Sequence, residues 1–195
     1  MFPTGLTCNV GSFAAVHKTQ SQLFSLLERT TMNEQQRRER NDQRVSELWP
    51  AFGAKIKAVI AELESQSLRP RIQDGYRSPA DQLIAFQTGH SKLKYGFHNV
   101  TGTGGKKESL AVDMLDDDHP AQEKSEYLLR LAAAAESQGL VSGIRWGLPV
   151  NLSNAIDAAI ANKDWKANVK VGWDPSHVQP TGITPQQAKA GKRPS

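Results

Sequence analysis

The sequence predicts an α+β domain in which helices flank a small antiparallel sheet. Two patterns carry that expectation. Apolar residues recur at spacings of three and four from Phe52 to Leu63 and again from Tyr127 to Ala135, which places a buried stripe on each of two helices. Around them lie short segments of strand character, the clearest running from Ser109 to Leu115, where Leu110, Val112 and Met114 alternate with Ala111, Asp113 and Leu115.

Residues 1–31 mix Gly, Thr, Ser and scattered apolar residues without sustained periodicity, so they are expected to form an N-terminal extension that is poorly ordered or loosely packed, with Met32 as a second possible start. From Asn33, a plausible N-cap, a charged helix leads to Val45, Leu48 and Trp49, and Pro50 interrupts it before the Phe52 to Leu63 stripe. Arg69 to Gly75 reads as a strand. Ser78 and Pro79 form an N-cap and first-turn pair for a helix through Gln82, Leu83 and Phe86 that stops near Gly89, which fixes Arg77 at a strand-to-helix junction. His90 to Lys107 is rich in Gly, Thr, Ser and Lys and reads as a loop. After the Asp113 strand come a helix from about Pro120 to Gln138, a short strand at Gly143 to Gly147, a short helix from Ser153 to Ala161 and a last strand or turn from Val171 to Val178. The domain is thus expected over residues 32–180, followed by a mobile tail over 181–195 rich in Pro, Gly, Gln and Lys.

Of 195 residues, 24 are Lys or Arg and 20 Asp or Glu, and the +4 formal charge concentrates in Arg37, Arg38, Arg40 and Arg44, in Lys92 and Lys94, and in the tail. A polyanion partner is compatible with that sign, but no nucleic-acid-binding signature accompanies it, so solvated basic clusters and no nucleic-acid partner are expected. The single cysteine, Cys8, excludes an internal disulfide. No apolar run of membrane-spanning length occurs and no secretory signal is evident, so no membrane anchor is expected; a monomer is expected as well, although nothing in the sequence fixes the oligomeric state.

The chemistry is concentrated in His98, Asp113 and His177. An ionised carboxylate in the middle of an apolar strand is costly unless it is paired or binds a metal. Asp113 therefore calls for a partner, either an arginine such as Arg77 or Arg145, or an ion. Two imidazoles and a carboxylate make a three-ligand zinc site with a fourth position left for water, and Asp174, three residues before His177, supplies a carboxylate to take that water's proton. His90 and His119 remain rival donors. The run Asp116-Asp117-Asp118 matches no calcium loop and reads as a solvated turn capping the next helix. Trp146 and Trp173 line the cleft or pack at its rim.

Over roughly Trp49 to Gln179 the chain resembles the D-alanyl-D-alanine carboxypeptidase and L-alanyl-D-glutamate endopeptidase family of zinc peptidases, which includes VanY-like enzymes and phage endolysins. The resemblance rests on Gly75-Tyr76-Arg77-Ser78 with Gln82, on Phe97-His98-Asn99, on Leu110-Ala111-Val112-Asp113 and on Trp173-Asp174-Pro175-Ser176-His177. It implies a hedgehog-type fold, one Zn2+ on His98, Asp113 and His177, Asp174 as general base, and Arg77 at the substrate and oxyanion. Gln82, Ser78, Trp146 and Trp173 would be further substrate contacts. The implied substrate is the peptidoglycan stem peptide, cut at L-Ala-D-Glu or at D-Ala-D-Ala, with action on the cell wall or periplasm after release through a holin or an accessory system. Asp rather than Glu as the base leans toward the endopeptidases. A non-catalytic zinc-containing binding module is the alternative of another class. The family usually spaces the first His and the Asp as HxxGxAxD, whereas here Val100 to Glu108 lengthens the connection, so that insertion must loop out for the ligands to meet.

Overall fold

The structure, a computed structural model, describes residues 32–194. The extension expected over residues 1–31 lies outside the described residues. Among these, six α-helices surround one four-stranded antiparallel sheet, as the α+β expectation requires.

Helix α1 (Glu34–Val45) opens with Asn33 and Gln36 in a reciprocal capping box. Its buried face is polar: Arg37 and Asn41 are buried, because this helix docks on the outer edge of strand β1 (Pro70–Asp74) rather than on an apolar surface. Asn41 donates to the Pro70 carbonyl at 2.9 Å and accepts the Ile72 N–H at 2.8 Å. Arg40 donates to the Ile72 and Gln73 carbonyls, and Arg37 to that of Pro70. Side chains thus satisfy an edge strand that would otherwise expose or bury unpaired backbone groups. The basic cluster expected to be solvated is therefore largely consumed by the fold. Arg37 also ion-pairs with Glu34 and Glu64, and Arg44 with Glu47.

Pro50 interrupts nothing; it is the first residue of helix α2 (Pro50–Ser65), where its missing N–H costs no hydrogen bond. Phe52, Ile56, Val59 and Leu63 face the core, packed against helix α4 (Ser125–Ser137), whose Leu128, Leu131 and Ala135 are buried, and the Val112, Met114 and Val178 face of the sheet. Each large aliphatic side chain buried there contributes about 1.5–3 kcal/mol.

The strand order is β1, β2 (Val112–Asp116), β4 (Asp174–Pro180), β3 (Leu140–Gly143). Asp113 lies opposite His177 across the β2 and β4 pair, and opposite Asp74 on β1 after a register shift. The remaining helices are α3 (Pro79–Gln87), α5 (Val150–Ala161) and α6 (Pro185–Lys189).

Further expectations are corrected, first the strand carrying Asp113, which runs over Val112–Asp116 rather than from Ser109 to Leu115. The strand expected at Gly143 to Gly147 is a turn, and β3 lies just before it, because Gly139 (φ 68°) ends α4 in the left-handed conformation and the chain enters the sheet at once. The α4 start shifts from Pro120 to Ser125. Asp116 and Asp117 are buried rather than solvated: Asp117 pairs with Arg71 at 3.0 Å and Arg69 at 3.1 Å, while Asp116 accepts from His119. The tail expected to be mobile over 181–195 carries α6, opened by a Thr184 capping box, with Ala188 buried and Arg193 paired with Glu108 at 2.8 Å.

Replacing Asn41 with Ala leaves the Ile72 N–H buried without a partner. The expected loss is about 2–3 kcal/mol in urea unfolding, with divalent-metal binding unchanged.

Candidate metal centre

Three separate segments meet at one end of the β2 and β4 ladder. Asp113 and His177 arrive as cross-strand neighbours. His98 sits in the middle of a 3₁₀ turn (Phe97–Asn99) that is tied down on every side. The Arg77 N–H donates to the His98 carbonyl, Asn99 donates to the Arg77 carbonyl, and the Leu110 N–H reaches Phe97. The insertion at Val100 to Glu108 does fold out of the way. A Thr101 and Lys107 bridge closes it, a 3₁₀ turn (Thr103–Gly105) fills it, and the Glu108 N–H bonds Val100.

A backbone acceptor sets the tautomer of His98, and two side-chain partners orient the ring of His177. His98 Nδ1 donates to the Gly75 carbonyl at 2.6 Å, which leaves Nε2 as a lone pair facing Asp113 Oδ1 at 3.5 Å and His177 Nδ1 at 3.4 Å. His177 Nε2 lies 3.1 Å from Gln179 Oε1 and its Nδ1 2.9 Å from Asp113 Oδ1, so with Nε2–H donated to Gln179 the Nδ1 lone pair is the one offered to a metal beside Asp113. Three potential ligand atoms therefore lie within 4.8 Å of one another, an arrangement that a proton on His177 Nδ1 satisfies in part and a cation between them satisfies fully. This buried group could hold a metal ion. Without one, burial works against a charged His98, but the Asp113 carboxylate outweighs it and holds the imidazole pKa up. Burial likewise opposes Asp113, and the two histidines hold its carboxyl well below the usual range.

Asp174 stands beside this group without joining it, its Oδ2 3.9 Å from His177 Nδ1. Burial, and then the Asp113 charge, push its pKa up. Two glycines set its place. A Cβ on Gly143 would strike the Asp174 carbonyl, and one on Gly172 would strike the backbone of Trp146 at 2.6 Å, so the 143–147 turn can pack on the start of β4 only without side chains there.

A cleft of about 500 Å³ opens over the group, within the range of small-ligand sites. Arg77, Gln82, Trp146, Trp173 and Asp174 line it together with the three donors. Arg77 is directed by Asp74, which accepts from Nε and Nη2, and by Gln82 Oε1 at 3.1 Å, and it lies 3.7 Å from Asp113. Arg145 pairs elsewhere, with Asp157 and Glu136. Ser78 does not line the cleft; its hydroxyl is spent on the α3 cap with Asp81. His90 reaches the wall but not the donor group, and bonds Thr88. Gly75, legible in the sequence only as part of its motif, and Gln179 orient the two imidazoles, and Asp74 aims Arg77. Gln179 had a signal, since position i+2 of a strand shares the face of His177.

Glu123, ahead of α4, was missed by the sequence reading. Burial, followed by the Asp113, Asp174 and Asp116 charges, outweighs a hydrogen bond from Ser176 and raises its carboxyl from 4.5 to about 7. One of its oxygens, Oε1, is buried without a hydrogen-bond partner.

Gln179→Ala should weaken divalent-metal affinity about 10–100-fold in calorimetric titration, because His177 loses the acceptor for its Nε2–H. Glu123 gives a pH signature in metal-free protein. Between pH 4.5 and about 7 the folded state holds a proton that the unfolded chain has released, so stability falls as pH rises through that window. Glu123→Gln should remove the slope, raising stability at pH 8 by about 1–2 kcal/mol, reduced for partial solvent screening, with little change at pH 4 by thermal unfolding.

No protein-family model matches the chain, and no curated protein or solved structure matches it, so the chemistry of the site stands on its own residues.

Proposed function

We propose that the protein is a zinc-dependent peptidoglycan peptidase that hydrolyses the stem peptide as an L-alanyl-D-glutamate endopeptidase. One observation carries the reading: a raised-pKa carboxylate, Asp174, stands 3.9 Å from a three-donor group it does not enter. A structural metal site closes its coordination, whereas a hydrolytic one keeps a position open and a base beside it.

Zinc suits the donor set. Two imidazole nitrogens and one carboxylate oxygen are borderline ligands that favour it over calcium or magnesium. Donors about 2.0–2.1 Å from a tetrahedral ion lie about 3.3–3.4 Å apart. The separations here are 2.9, 3.4 and 3.5 Å. His98, Asp113 and His177 would hold the zinc, which would supply Lewis-acid activation of a water and of the scissile carbonyl.

The chain's own residues do the rest. Asp174 accepts the proton of the attacking water and delivers it to the leaving amine, a role its raised pKa fits. Arg77, held by Asp74 and Gln82, faces the negative charge that develops on the carbonyl oxygen. Trp146 packs on the His177 ring at 5.2 Å and shields the site from bulk water. No helix among the described residues is long and apolar enough to cross a membrane.

The test is digestion of purified peptidoglycan with mass spectrometry of the products. Zinc-loaded protein is expected to release fragments with a new N-terminal D-Glu, and chelator to abolish release. Asp174→Ala should retain one zinc per chain and lose about 10²–10⁴-fold in rate. Loss of D-Ala alone would reassign the protein as a D-Ala-D-Ala carboxypeptidase. Zinc binding without cleavage would make it a binding module.

A further inference from the structure

Once the charges of the described residues that line the cleft are paired, one cation is left over. Asp74 occupies Arg77. A divalent ion would offset Asp113 and Asp174. Lys92, on the loop between α3 and the His98 turn, also lines the cleft, and among the described residues no carboxylate pairs with it. Its Nζ instead lies 4.2 Å from the centre of the Trp173 indole.

This lysine is not simply a loose surface residue. Buried Gln82 donates from one amide nitrogen to the Ser91 hydroxyl at 2.8 Å and to the Leu93 carbonyl at 2.5 Å, pinning the chain on both sides of Lys92. Its resting partner is built as well. Trp173 is half exposed, stacks on Trp146 at 5.5 Å, and through it reaches His177. The chain of ring contacts from Lys92 to His177 spans no more than about four residues of extended peptide. An exposed cation–π contact is weak enough to exchange for a charge-assisted hydrogen bond.

We propose that Lys92 is a specificity-determining residue whose ammonium leaves the Trp173 indole to bind a free carboxylate on the substrate, within a few residues of the scissile bond. The inference rests on the peptidase reading for the identity of the substrate, not for the presence of the anion site. Under that reading the carboxylate is the one left free on the D-Glu residue, so the protein would distinguish a wall whose D-Glu is an acid from one whose D-Glu is amidated.

The test uses two L-Ala-D-Glu stem peptides that differ only in whether that carboxylate is free or amidated. Binding is measured by calorimetry to the zinc-loaded Asp174→Ala protein, in which the peptide should survive, and cleavage by the wild type is followed in parallel. The acid should bind about tenfold more tightly than the amide, as one charge-assisted contact implies. Lys92→Met, which keeps the aliphatic stem on the indole, should erase the preference, and Lys92→Arg should retain most of it. A preference that survives Lys92→Met, or equal affinity for the two peptides from the outset, would overturn the proposal even if both are cleaved. A Lys92-dependent preference without cleavage would uphold the anion site and sink the peptidase reading instead.

Discussion

The site depends on the pairing of Asp113 with His177 across β2 and β4. Only two residue pairs join these strands in register, and one of them is this pair. A carboxylate and an imidazole directly opposite each other share a sheet face, with Cβ atoms about 4.5–5.5 Å apart. That places two donors with no loop involved. The third, His98, comes from irregular chain and is positioned by hydrogen bonding: its turn is held by Arg77, Asn99 and Leu110, and its ring by Gly75. The Ser109 hydroxyl joins the same knot, donating to the Ala111 carbonyl at 2.8 Å with the Gly75 carbonyl 3.2 Å away.

The rest of the fold stiffens this corner. The apolar core of α2 and α4 supports the far face of the sheet, while α1 covers the β1 edge with arginine and asparagine side chains rather than apolar ones. These bonds favour the observed register, in which Asp74 lies opposite Asp113 and accepts from Arg77 at the cleft. The tail adds the last wall. Ile183, Thr184 and Pro185 line the cleft, and Arg193 clamps the tail to Glu108 at the base of the insertion between His98 and Asp113. A segment rich in Pro, Gly and Lys is thereby tied to the loop that carries the longest departure from the resembled spacing.

What could be read from the chain was local. The Asn33 and Ser78-Pro79 helix starts and the apolar stripe of α2 depend on residues within one or two turns and appear where the pattern put them, while the strand carrying Asp113 is present but begins at Val112, three residues after the expected Ser109. His98, Asp113 and His177 were visible because a charged residue in an apolar strand demands a partner. What was hidden depended on distant residues. Asp117 looks solvated until Arg71 and Arg69 are brought beside it. The tail looks free until Glu108 accepts Arg193. The 143–147 turn reads as a strand because nothing local reveals that Gly143 must pass the Asp174 carbonyl. Lys92 is one lysine in a polar loop until Trp173 comes under it.

X-ray absorption on the zinc-loaded protein reads the ligand set itself. A four-coordinate shell of nitrogen and oxygen at about 2.0–2.2 Å, with the outer-shell scattering of two imidazoles that drops to one in His98→Ala, is the predicted result. A six-coordinate oxygen shell without imidazole, or a spectrum unchanged in His98→Ala, would contradict it.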